Sequence, residues 1–88
     1  MLGLHALPSG TASLPYAMTV DDADRIWVAE TGVRPNRLVA FDTKAQRYTE
    51  TVLLEGGEER NTVRHMVFDP RSRAIWFGTD RNTIGRAT

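Results

Sequence analysis

An all-β fold of repeated antiparallel sheets is what this sequence predicts, and three observations predict it. The first is an internal repeat. Residues 16–30, YAMTVDDADRIWVAE, align with residues 64–79, RHMVFDPRSRAIWFGT, after a one-residue insertion in the second copy's turn. Met18 matches Met66, Ile26-Trp27-Val28 matches Ile75-Trp76-Phe77, and Asn36-Arg37-Leu38-Val39 matches Asn82-Thr83-Ile84-Gly85, at offsets of 48, 49 and 46. The second is the length of the apolar runs. Each is short, rich in Val, Ile, Trp and Phe, and bounded by turn chemistry such as Asp21-Asp22-Ala23-Asp24, Asp42-Thr43-Lys44-Ala45-Gln46 or Asp69-Pro70-Arg71-Ser72. The third is that no window of helical length carries an apolar stripe at i, i+3, i+4, i+7. A period of 46 to 49 residues fits either a propeller blade or a HEAT-type helical pair, and the missing stripe selects the blade.

The strands follow in order. The first blade, 16–54, takes strands near 16–20, 25–30, 37–41 and 47–54. The second blade, from 64 to 88, takes strands near 64–68, 74–79 and 83–87 and stops one strand short. Residues 1–8 read as an outer strand of a preceding blade, able to complete the second blade of the same or a neighbouring molecule. Ile26 to Ala29 and Ile75 to Phe77 are apolar at every position, as in sheets covered on both faces. Residues 47–54 alternate, which suits an outer, partly wet strand. Gly56-Gly57, with Glu58, Glu59 and Arg60, reads as a flexible loop between blades and holds no phosphate-binding motif.

Composition narrows the function. Eleven basic residues balance eleven acidic ones and are scattered, so no nucleic-acid partner is expected. There is no cysteine, hence no disulfide and no thiolate metal site. No stretch approaches the about 20 apolar residues of a membrane-spanning helix, and the apolar start lacks the basic n-region of a signal peptide. A soluble chain is expected, with its compartment undecided. Repeat units seldom bury their faces alone. The chain is therefore expected to be either part of a larger ring, its partners the missing blades, or a protomer that self-associates.

At Trp27-Val28-Ala29-Glu30, and at Trp76-Phe77-Gly78-Thr79-Asp80-Arg81-Asn82-Thr83-Ile84-Gly85-Arg86, the chain resembles the streptogramin (virginiamycin B) lyase family. The resemblance runs from Pro15 to Ala87 and concerns the C-terminal portion of such proteins. It implies a seven-bladed propeller whose repeats read Pro-His-Gly-Ile, a short turn, Trp-Phe-Thr-Glu, then Asn-x-Ile-Gly-Arg. It also implies an elimination that opens a cyclic depsipeptide at its ester bond, using Mg2+ held by acidic side chains and a nearby histidine. A metal polarises the departing ester and a base removes the adjacent proton.

Carried over by position, the family's histidine falls on Tyr16 and Arg64, and the acid before it on Leu14 and Thr62. The closing acid falls on Glu30 in the first blade and on Thr79 in the second. Glu30 is thus the one matching residue, the candidate Mg2+ ligand, weighed against a solvated strand-end carboxylate near Arg37. It is expected to face Tyr16 across the hairpin. His65 is the candidate base, because an imidazole titrates near neutral pH, weighed against a half-buried, hydrogen-bonded histidine. Tyr16, Arg64 and Asp80 are candidate contacts to a small-molecule ligand, and for Asp80 the blander role is turn stabilisation. Two functions compete: a lyase-like propeller whose remaining ligands lie in further blades, and a ligand-binding or scaffolding propeller without catalysis.

Overall fold

In the computed structural model, residues 4–53, 62–80 and 83–87 are described, and the chain is all-β among them. A first antiparallel sheet has the order β1-β2-β3-β4, from β1 (Pro15–Val20), β2 (Arg25–Glu30), β3 (Arg37–Asp42) and β4 (Arg47–Leu53). A second has the order β5-β6-β7, from β5 (Val63–Asp69), β6 (Ala74–Thr79) and β7 (Ile84–Ala87). A short 3-10 helix, Gly10–Ala12, precedes β1. No helix among the described residues is long and apolar enough to cross a membrane. The expected loop at Gly56-Gly57 lies outside the described residues.

Three hairpins share one construction, with an Asp at the end of the leading strand. Asp21 Oδ1 accepts from the N–H of Ala23 (2.8 Å) and Arg25 (3.0 Å), and Asp42 Oδ1 from the N–H of Lys44 (2.8 Å) and Ala45 (3.0 Å). Asp69 accepts from the N–H of Arg71 and Ser72, both at 3.3 Å. These are side-chain mimics of a backbone turn. Each turn then closes through a residue at positive φ: Asp24 (60°), Gln46 (55°) and Arg73 (54°). The turn clusters named from sequence are therefore the hairpins.

Strand alternation assigns the faces. On the first sheet, Trp27 pairs with Ala40 and Ala29 with Leu38, on the face turned to the second sheet. On the second sheet, Met66 pairs with Phe77, Phe68 with Ile75, and Ile75 with Ala87, on the face turned back. These sets, with Ala17 and Val63, form one apolar core between the sheets. Full burial of a large side chain such as Trp27, Leu38 or Phe77 contributes about 1.5–3 kcal/mol. Close backbone approach between the sheets is concentrated at β1 and β5, so the sheets are nearest at their first strands, as consecutive blades are. Both faces of β2 are apolar, as its sequence required: Trp27 and Ala29 are buried in the core, and Ile26 and Val28 are half-buried on the outer face.

The expected outer strand at 1–8 is not found in its described part. Residues 4–7 form no strand, and nothing pairs them with β7. The segment instead crosses the outer face of the first sheet, where the His5 ring lies 4.8 Å from that of Phe41. It is pinned beside the loop after β2, Gly32 N–H donating to Ser13 O (2.9 Å) and Thr31 N–H to Leu14 O (3.3 Å). Gly32 permits this approach, because a Cβ there would overlap Ala12 O and the Leu14 side chain.

Candidate functional site

Glu30 ends β2 on the outer face of the first sheet and is wholly buried, 0 % exposed. Three hydrogen bonds engage its carboxylate. Ser9 N–H donates to Oε2 (2.9 Å), while Ser9 Oγ–H and Arg37 Nε–H each donate to Oε1 at 2.9 Å. Arg37 also donates to Ser9 Oγ, at 2.5 Å. Burial alone would push the Glu30 carboxyl up. The Ser9 hydrogen bonds and the Arg37 guanidinium outweigh it and hold the group below the ordinary carboxylate range.

This arrangement does not fit a magnesium ion. A hard cation needs several oxygen ligands, and here the one buried carboxylate already accepts three hydrogen bonds and has a guanidinium alongside, which repels a cation. Among the described residues no three His, Asp or Glu side chains gather where they could hold a metal. The expected pairing of Glu30 with Tyr16 is also corrected. Pro15 stands opposite Glu30, and a bulge between Pro15 and Met18 shifts Tyr16 out of register.

The other candidates divide. Asp80 Oδ1 accepts from Thr62 N–H (2.9 Å), and Thr62 O accepts from Asp80 N–H (3.1 Å), so Asp80 ties the two ends of the β5–β6 hairpin. This contact lies across the open end of the hairpin and not within the connection after Asp80, where its turn-stabilising role was expected. Tyr16, Arg64 and His65 come together. β1 and β5 run side by side at the inner edge of the sheets and border a cavity of about 350 Å³, lined by Tyr16, Ala17, Met18, Arg64, His65 and Met66. The Arg64 guanidinium carbon lies 5.4 Å from the Tyr16 ring centroid. A cation over an aromatic face is attracted to the ring's negative surface. The cavity therefore offers a fixed positive charge, a phenol, an imidazole and two thioether side chains.

His65 and Glu30 do not share a site. His65 alternates with Val67, Trp76 and Gly78 on the outer face of the second sheet, and Glu30 lies on the outer face of the first, with the core between them.

Two residues that hold the candidates in place, Ser9 at Glu30 and Asn36 near the β1/β5 edge, were not singled out from the sequence. Ser9 is one, and no motif marks it. Asn36 is the other. It is fully buried, donates to Val33 O (2.9 Å) and Thr31 O (3.4 Å), and accepts from Val63 N–H (2.9 Å). It thus ties the β2–β3 loop to the start of β5, one residue before Arg64. Its repetition as Asn82 was the available signal.

No family model, no curated protein and no solved structure matches this chain.

Proposed function

We propose that this chain is a non-catalytic ligand-binding and scaffolding module of the propeller-blade type, and that its ligand surface is the β1/β5 edge. The observation that carries this reading is the Arg64 guanidinium over the Tyr16 ring at the wall of the cavity. A fixed cation beside an aromatic ring and the thioethers of Met18 and Met66 suits a small organic anion with an apolar portion. The engagement of Glu30 by Ser9 and Arg37 supports the non-catalytic side of the reading.

Titration of the 15N-labelled chain with benzoate and with inorganic phosphate tests it. The expected result is saturable benzoate-induced shifts at the amides of Tyr16, Ala17, Arg64 and His65, weakened about tenfold to a hundredfold in Arg64→Ala, since a charged contact contributes about 1.5–3 kcal/mol. Shifts scattered over the whole chain, or unchanged in Arg64→Ala, would overturn it.

The resemblance to the lyase family supports a second reading, favoured by one observation: His65 is exposed and lines the same cavity as Arg64. There Arg64 holds a substrate carbonyl and His65 takes the proton adjacent to the ester. The ester C–O bond then breaks to leave an alkene and a carboxylate. Opening of a cyclic depsipeptide by the chain, lost in His65→Ala, would establish this reading over the first.

A further inference from the structure

The two sheets present repeat-equivalent faces, and only one pair of those faces is used within the chain. The first sheet packs against the second through its Trp27 face, and the second meets it with its Met66/Phe68 face. The repeat makes Trp76 the counterpart of Trp27, and Met18 and Val20 the counterparts of Met66 and Phe68.

Both counterpart faces are partly open. On the second sheet, Trp76 is half-buried, Val67 is 59 % and Ile84 75 % exposed, and with His65 and Gly78 they border an apolar hollow of about 240 Å³. On the first sheet, Met18 is 62 % and Val20 56 % exposed, paired across to Val28 and Ile26 on the same face. The N-terminal segment covers the outer half of that face, at Phe41 and Glu30, and leaves the inner half at Met18 and Val20 free.

We infer that the Trp76 face binds a second copy of this chain, which seats its Met18/Val20 face there as Met66 and Phe68 seat against the Trp27 sheet within one chain. The argument is continuity with the interface already present. Repeat-equivalent strands meet, and Val67, Trp76 and Ile84 keep the face largely apolar, while Arg86, its guanidinium carbon 5.8 Å from the Trp76 ring centroid, takes the place that Ala40 holds beside Trp27. Exposed apolar patches of this kind mark association surfaces. Because the two faces differ, the contact is head to tail and generates a ring if its rotation closes, or an open chain of copies if it does not. Met18 and His65 border both this contact and the β1/β5 cavity, but Val67 and Val20, the residues altered in the test, do not line that cavity, so failure of one reading is distinguishable from failure of the other.

The test is sedimentation and light scattering of the full chain over a concentration series, with Val67→Glu on one face and Val20→Glu on the other. The wild-type chain is expected to gain mass with concentration. Each glutamate buries a charge in the contact and is expected to weaken association by about tenfold or more. Each variant alone then stays a single copy, because copies of one variant always pair an altered face with an intact one. An equimolar mixture of the two is expected to form two-copy species through the two unaltered faces. A wild-type chain of one-copy mass at every concentration overturns the inference. So does either variant associating alone as the wild type does, which would mean a face pairing with itself or another surface. So does a mixture that fails to pair. Should Val67→Glu lose its cooperative melt, Ile84→Glu on the same face replaces it with the same expected outcomes.

Discussion

The Trp27 indole N–H donates to Asp21 Oδ2 at 2.9 Å, closing a six-residue span that the second sheet bridges in another way. There Asp69 and Trp76 stand seven positions apart, and Ser72 takes the place between them. Trp76 Nε1–H donates to Ser72 Oγ (3.3 Å), whose hydroxyl donates to Asp69 Oδ2 (2.7 Å). One inserted turn residue thus converts a direct carboxylate contact into a hydroxyl relay, and the conversion sets up a comparison within one molecule.

Asp21→Ala is expected to cost about 1–3 kcal/mol, because it leaves the N–H of buried Trp27 without its acceptor and releases Arg25. Ser72→Ala is expected to cost about 1 kcal/mol or less, because Trp76 is half-exposed and water replaces the lost acceptor. Urea unfolding followed by far-ultraviolet dichroism checks the order. Equal losses would remove the distinction between the two turns.

Acid should destabilise the chain through Asp21 and Glu30. Burial pushes both carboxyls up, but hydrogen bonds from Trp27, Ala23 and Arg25 to Asp21, and from Ser9 and Arg37 to Glu30, hold them below their ordinary values. A folded pKa below the unfolded one means that the folded state binds fewer protons. The stabilisation is then fully present above the unfolded carboxylate value of about 4 and is lost as pH falls through the folded value. Unfolding free energy measured across this range should be level at neutral pH and fall toward low pH. Glu30→Gln should flatten the fall.

Magnesium chloride is expected to leave the melting temperature of the wild-type chain unchanged beyond the effect of ionic strength matched with sodium chloride. Glu30→Ala is expected to destabilise by about 1–3 kcal/mol in either salt, since it strands Ser9 and Arg37. A magnesium-specific rise in melting temperature that disappears in Glu30→Ala would show the carboxylate free to bind the ion.

Asn36→Ala should loosen one sheet from the other. The side chain supplies the acceptor for buried Val63 N–H, and its loss is expected to cost about 1–3 kcal/mol. Hydrogen exchange at the Val63 amide should accelerate more than exchange at the β2–β3 ladder. Uniform acceleration would make Asn36 an ordinary loop residue.

Gly85→Ala should cost about 1–3 kcal/mol by overpacking, because a Cβ at Gly85 would overlap the ring of buried Phe77. Nuclear magnetic resonance shifts of the Phe77 ring protons report the displacement. This contact is a physical reason for glycine in the run Asn82-Thr83-Ile84-Gly85-Arg86.

The sequence by itself determined the class of fold, the seven strands found among the described residues, though not the eighth expected at 1–8, and the hairpins. Those features are local: short apolar runs choose strands, and Asp side chains close turns within a few residues of themselves. The repeat also placed Trp27 and Trp76 at equivalent positions. Their different fates, 2 % exposed for Trp27 and half-buried for Trp76, were decided by which face another sheet covers. The tertiary structure likewise decided the candidate site. Ser9 reaches Glu30 across 21 positions and Asn36 reaches Val63 across 27; the repeat marks Asn36 but not its partner, and nothing local encodes contacts of that separation. Glu30 matched a metal ligand by position, yet folding surrounds it with donors and makes it a structural anchor. Tyr16 and Arg64 looked like separate, weak candidates along the chain. They meet because β1 and β5 are the strands at which the two sheets approach, which is a property of sheet packing and not of either strand.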